Sequence, residues 1–212
     1  MADDLKYGYK GAEPTQSQSS NTGVFDPADI NNLIANNKWT PQLGQLELIQ
    51  TQTVSGTPST LVFNDLQTNK YDIHFMTISN FKPQTDNRHL ALRYQVDGTT
   101  TTGFDYKYAK QRQTAATSSE LKIGNDSKIW LAYNCSIGLN SLNGYIIFYN
   151  LKSSYAFINT HFYQIDKDNN ISTNFQTAVR DEVGGVDGIE FATSGGNLEH
   201  GLFSLYGIRS WE

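Results

Sequence analysis

"YDIHFMTISNFKPQTDNRHLALRYQVDG" (residues 71–98) holds two runs in which apolar side chains recur at every second position. In "RHLALRYQV" (88–96), Leu90, Leu92, Tyr94 and Val96 share one parity, and Ala91, Arg93 and Gln95 share the other. Successive side chains of a strand point to opposite faces of its sheet, so this run places one face in a core and the other toward solvent or a neighbour. "YDIHFMTIS" (71–79) reads as a second strand of the same kind.

Outward from this pair the period of two continues. "GQLELIQTQT" (44–53) and "STLVFN" (59–64) precede it. "KIWLAYN" (128–134), "GYIIFYN" (144–150), "YAFINTHFYQ" (155–164), "ISTNFQTAV" (171–179), "GIEFAT" (188–193) and "HGLFSLYGI" (200–208) follow. Tyr145 to Tyr149 is apolar on both faces and is expected to be a central strand. "DGTTTTG" (97–103), "NSLNG" (140–144), "DKDNN" (166–170) and "TSGGN" (193–197) supply turns whose Gly, Asn and Asp accept positive φ. Short strands at this spacing predict an all-β domain, a two-sheet antiparallel, jelly-roll-like sandwich over residues 40–212. "TAATSSELKIGNDSK" (114–128) fits either a long polar loop or one turn of helix. No internal repeat of 20 to 50 residues is visible.

Composition narrows the classes of function. Among the 212 residues only 17% are charged, against roughly 25% in typical domains. Mean hydropathy is nevertheless -0.49, so Asn, Thr, Ser and Gln supply the polarity. The net charge of -5 and the scattered Lys and Arg give no basic stripe for phosphates, which argues against nucleic acid as a partner. The longest apolar run, "YIIFY" (145–149), is far short of the ~20 residues of a membrane helix, and "MADDLKYGYK" lacks the apolar core of a secretory signal. The expectation is a protein with no membrane partner that stays in the compartment where it is made. Cys135 is the single cysteine, so no intrachain disulfide or thiolate cluster forms.

The first 39 residues differ from the rest and are read as a separate arm and short helix. Residues 1–22 offer Leu5, Tyr7 and Tyr9 as their large apolar side chains, and "PTQSQSSNTG" reads as a flexible tether. Ordering some twenty residues costs on the order of 20–40 kcal/mol, whereas burying three such side chains returns about 6–9 kcal/mol. The arm is therefore expected to be disordered alone or held by another subunit. "FDPADINNLIANN" begins a helix, about 27–36, with Asp26 as N-cap, Pro27 at the first turn and Asp29 near the positive dipole end. Its stripe of Ile30, Leu33 and Ile34 is too short to persist unsupported. With Val24, Phe25 and Trp39 it either plugs one end of its own sandwich or, together with Tyr7 and Tyr9, anchors the domain to a larger assembly.

Catalytic chemistry finds little support. His74, His89, His161 and His200 fall on four different strands with no metal-ligand spacing, and Cys135 has no neighbouring base. Asp187 and Glu190 point to opposite faces if their strand is regular, which is wrong for a glycosidase pair. Asp166, Asp168 and Asn170 match the first positions of a calcium loop, but Ile171 replaces its glycine and Thr177 its glutamate. No catalytic residue, metal site or cofactor is expected, and the chain is not expected to be an enzyme. Abundant Tyr, Asn and Gln suit binding to sugars or protein.

The 71–98 block, the Thr/Gly-rich turn after it and the closing "GGNLEHGLFSLYGIRSW" (195–211) resemble β-sandwich structural proteins of tailed bacteriophage particles. "YGYKGAEPTQSQSSNTGVFDPADINNLI" (7–34) is similar to the leader of virion proteins from phages of marine cyanobacteria. The resemblance implies a virion component, a capsid decoration or tail-fibre-like protein whose partners are other capsid or tail subunits. It carries no functional residues. A homo-oligomer, by analogy a trimer, is the expected assembly. The alternative is a lectin-like adsorption module that binds host surface glycans through loops at 97–103 and 110–127.

Overall fold

The computed structural model describes residues 16–17, 20–21, 31–32, 35, 46–138, 142–153, 155–166, 168–182 and 184–208. The chain divides into two units, residues 1–45 and 46–212. In the first unit, Gln16–Ser17 (β1) and Ser20–Asn21 (β2) form a two-rung antiparallel ladder, and Asn31, Asn32 and Ala35 are helical. Composition alone reads β1 and β2 as tether, because a ladder this short requires no apolar pattern. Such a pair is marginal by itself in water. Tyr7, Tyr9, Val24, Phe25, Ile30, Leu33, Ile34 and Trp39 lie outside the described residues.

The second unit is a sandwich of two antiparallel sheets. Its strands are Leu46–Thr53 (β3), Thr60–Phe63 (β4), Ile73–Pro83 (β5), Arg88–Val96 (β6), Thr99–Thr100 (β7), Tyr106–Thr114 (β8), Ser118–Asp126 (β9), Ile129–Cys135 (β10), Leu142–Tyr149 (β11), Tyr155–Ile165 (β12), Ile171–Asp181 (β13), Gly188–Thr193 (β14) and Leu198–Ile208 (β15). The smaller sheet runs β10-β6-β14-β4, with β7 paired to β6. The larger runs β3-β15-β5-β11-β12-β13-β8-β9, which makes β11 an inner strand, as its two apolar faces predict.

The inner faces meet in one apolar core. Phe63 and Phe191 of the small sheet join Phe203 and Phe81 of the large one in a continuous chain of ring contacts, with centroid separations of 6.2, 5.1 and 6.1 Å. All four rings are fully buried, and each contributes about 1.5–3 kcal/mol of transfer free energy. The two sequence blocks that open and close the pattern are physical neighbours. β15 pairs with β5 so that Ile208 faces Ile73 and Tyr206 faces Phe75. The Tyr71 ring lies directly over Gly207, where an added Cβ would come within 2.2 Å of the ring. Tyr71 is held there by its hydroxyl, which donates to Glu47 Oε2 at 2.5 Å.

A second feature joins the sheets through polar groups. β10 is an edge strand with register shifts at Trp130–Ala132 and Ala132–Cys135, so some of its carbonyls find no ladder partner. Side chains from the opposite sheet reach them. Lys110 on β8 donates to the carbonyls of Trp130 (3.2 Å) and Leu131 (3.1 Å) and lies 4.0 Å from the centre of the Tyr133 ring. Gln164 on β12 donates to the Tyr133 carbonyl at 2.5 Å and accepts from the Cys135 thiol at 3.3 Å. Leaving such buried carbonyls unpaired would cost about 1–3 kcal/mol each, which accounts for a lysine inside a sandwich. Burial pushes the Lys110 ammonium down to about 7 and the Cys135 thiol up to about 12.

Residues 110–127 depart from the sequence reading. Instead of loop or helix, 110–127 forms the end of β8 and all of β9 at the edge of the large sheet. In β9, Leu121 and Ile123 turn inward against the core while Glu120 and Lys122 face out. That alternation spans only four residues amid Ser, Gly and Asn, and pairing with β8 stabilises a strand that propensity alone does not announce. The 97–103 turn contains β7, which folds back on β6 with Gln95 opposite Thr100.

Two predictions follow from this packing. Gly207→Ala should destabilise the sandwich by about 1–3 kcal/mol in urea unfolding, whereas Gly124→Ala, which meets open space on β9, should leave it unchanged. Equal midpoints for the two variants would rule out the Tyr71–Gly207 constraint. For Lys110 the folded-state value lies below the ordinary 10.5, so between about pH 7 and 10.5 the unfolded chain binds the extra proton. This lysine's contribution to stability therefore rises with pH across that window and is flat below it. The stability of the wild type relative to Lys110→Met should rise from pH 7 to 10, by at most about 1.4 kcal/mol per pH unit. A flat difference would show that Lys110 stays charged.

Candidate functional site

Sandwich strands ordinarily alternate a buried apolar face with a polar outer one. The large sheet breaks that rule. Its outer face carries a stripe of rings across five adjacent strands: Tyr206 (β15), Phe75 (β5), Tyr145 (β11), His161 and Tyr163 (β12) and Phe175 (β13). Neighbouring centroids lie 6.4 Å apart for Tyr206–Phe75, 5.6 Å for Phe75–Tyr145 and 5.9 Å for Tyr145–His161. His161 lies flat on Phe175, at 4.2 Å and 17°, and its Nε2 meets Thr173 Oγ1 at 3.1 Å. The register places these residues together, since Tyr206 faces Phe75, Tyr145 faces His161, and His161 faces Phe175.

The stripe is open to solvent. Tyr163 is 55% exposed, Phe175 43% and Tyr145 37%. Ile165 and Ile171, paired at one end of β12 and β13, extend it, and Leu202, Leu46 and Leu48 continue it on β15 and β3. With side chains of this size the exposed apolar area is on the order of 900 Å², well beyond the largest patch usual on a solitary soluble protein.

Beside the stripe the same face sinks into a trough that crosses β12, β13, β8 and β9. Its floor is one row of short side chains in register, Asn159, Thr177 and Ala109, closed at β9 by Lys122. One wall is the row Phe175, Gln111 and Glu120; the other is Phe157, Val179 and Lys107. The hollow has a volume of about 580 Å³ and adjoins a second of about 410 Å³, the two sharing Ala109, Lys122 and Thr177. The Thr177 hydroxyl donates to Asn159 Oδ1 at 2.9 Å, which leaves that amide's N–H groups for another acceptor. Lys107 is paired with Asp181, and Lys122 lies 3.9 Å from Glu120, so the rim is electrically balanced.

The acidic and basic residues singled out in the sequence have structural partners. Asp187 accepts from the Gly98 backbone at 2.8 Å, and Glu190 accepts from Thr100 at 2.9 Å and faces Arg93 at 3.7 Å, so both fasten the 97–103 turn. Asp166 accepts from the backbones of Asp168 and Asn170 and from Arg112 at 3.2 Å, the arrangement of a capped turn. His74 is buried against the Leu66 carbonyl, and burial holds it below its ordinary value. His89 accepts from the Asn134 backbone between Trp130 and Tyr133. Among the described residues no group of three His, Cys, Asp or Glu is placed to hold a metal, and no helix is long and apolar enough to cross a membrane. Cys135 is buried.

Sequence reasoning located no residue of the stripe as a site, and of the trough only the segment 110–127, which contains Gln111, Glu120 and Lys122. A signal was present: in "YAFINTHFYQ" aromatic and aliphatic residues occupy both parities, as they do at Tyr145 to Tyr149. A sandwich has only one buried face per sheet, so such strands expose rings unless something covers them.

No family model matches the chain, and no curated protein is significantly similar to it. Among solved structures, it is similar to the CBM2 module of the evolved Dit of Lactobacillus casei BL23 phage J-1, at 8% identity over 80% of this chain and 83% of that one. The TM-score is 0.23, too slight to define fold or function. The class defined by the structure itself is an antiparallel β-sandwich with an uncovered aromatic face.

Proposed function

We propose that this chain is a virion structural protein of a tailed bacteriophage, a surface β-sandwich that assembles as a homo-oligomer and is fastened to the capsid or tail by its N-terminal arm. The observation that carries the reading is the exposed stripe on the large sheet. Its ~900 Å² matches the roughly 800 Å² that each partner contributes to a standard interface. It has the anatomy of one, with aromatic side chains at the centre and the ion pair Lys82–Glu199 at one margin. Copies of this chain with their stripes turned toward a common axis, a trimer by analogy with other particle proteins, satisfy it.

The arm serves the second contact in this proposal. Tyr7 and Tyr9 insert into a neighbouring virion protein, and Val24, Phe25, Ile30, Leu33, Ile34 and Trp39 complete the anchor. The sequence blocks at 71–98 and 195–211 support the assignment to tailed phages and the block at 7–34 that to phages of marine cyanobacteria, with the particle as the place where the protein acts.

Light scattering on the eluting wild-type protein should show an oligomer, and Tyr145→Lys combined with Tyr163→Lys should yield a folded monomer of 23.7 kDa. A wild type that is monomeric at its highest soluble concentration would count against the interface. Deleting residues 1–22 should leave the oligomer folded but absent from purified particles, and normal incorporation would remove the anchor from the account.

A further inference from the structure

We propose that the trough on β12, β13, β8 and β9 is a binding site for a neutral oligosaccharide. The proposal does not require the assembly reading, though the trough shares Phe175 with the stripe, and it rests on four properties of the trough. First, its shape suits an elongated ligand. Four strands give a length of about 14 Å, and walls two residues to either side of the floor stand about 13 Å apart. The 580 Å³ hollow is within the range of small-molecule sites.

Second, its walls carry a ring on each side, Phe175 and Phe157, both partly exposed and both at the β12–β13 end. Pyranose rings present apolar C–H faces that pack on aromatic rings. Third, the floor and one wall set planar amides and a hydroxyl, Asn159, Gln111 and Thr177, among apolar lining, the mixture that a pyranose with its C–H faces and hydroxyls requires. The Thr177–Asn159 bond fixes the Asn159 amide with its N–H donors unspent. Fourth, the charges cancel. Each lysine of the rim has a carboxylate beside it, so neither a phosphate nor a cation is favoured, whereas a polyhydroxylated neutral ligand leaves those pairs intact.

The site differs from the loop-borne one that the sequence suggests, because most of 110–127 belongs to β8 and β9, whose outward Gln111, Glu120 and Lys122 help build the trough. Phe157 and Gln111 are outside the aromatic stripe, so their replacement separates sugar binding from assembly.

The test is an array of neutral hexose and N-acetylhexosamine oligosaccharides of two to four units, probed with the full chain, followed by calorimetry on the best binder. At least one should bind. Phe157→Ala and Gln111→Ala should each weaken that binding about tenfold or more while leaving the elution volume unchanged. Tyr145→Lys with Tyr163→Lys should abolish the oligomer and retain the sugar. A blank array, or binding untouched by both trough variants, overturns the proposal. So does loss of the oligomer in Phe157→Ala, which would identify the trough as part of the protein interface.

Discussion

An eight-stranded sheet packed on a smaller one cannot be covered evenly, and the organisation of the sandwich follows from that mismatch. Where the small sheet ends, at β10, its edge carbonyls enter the interior without ladder partners. Lys110 and Gln164 rise from the opposite sheet to accept that duty. Their neighbours on the same inner face are polar as well: Arg112 binds Ser172 and Asp166, and Asn174 and Gln176 are buried beside them. The apolar core, with its chain of four phenylalanines, is thus flanked by a polar seam that sets where the two sheets meet. An apolar residue at 110 would fill the space but strand the carbonyls.

The outer face of the large sheet poses the converse problem. Here water is available, yet the side chains are aromatic and aliphatic across β15, β5, β11, β12 and β13. A domain working alone gains nothing from such a surface and risks aggregation through it. A face of this size and composition suits a permanent protein contact. The adjoining trough is different in kind: its floor is a row of short side chains, two of them polar, its charges are paired, and its rings stand at the walls. One sheet face therefore presents two chemistries side by side, separated at Phe175, and the two need not be occupied by the same partner.

Much of the strand plan was legible in the sequence. β6 and β14 have the bounds that alternation indicates, and β11 is interior as its doubly apolar pattern requires. Residues 104–127 were not legible, because an edge strand such as β9 needs only Leu121 and Ile123 turned inward and can be polar elsewhere. The stripe was half legible. Rings at both parities of 145–149 and 155–163 announce a sheet with two apolar faces, but not which rings meet, since Phe75 and Tyr206 come from strands far in the chain from the β11–β12–β13 meander that carries Tyr145, His161 and Phe175. The trough was legible only as the segment 110–127, because a depression forms only where short residues of three strands, Asn159, Thr177 and Ala109, fall in one row.

What the sequence by itself determined is the class of fold and the rhythm of its strands, because a period of two is a local property that each segment carries within itself. It also marked the first 39 residues as chemically distinct from the sandwich. The tertiary structure decided which side chains share a face across strands and where a buried lysine is needed. Those outcomes depend on strand order and register, which join residues far apart in the chain and leave no local trace in the segments they connect.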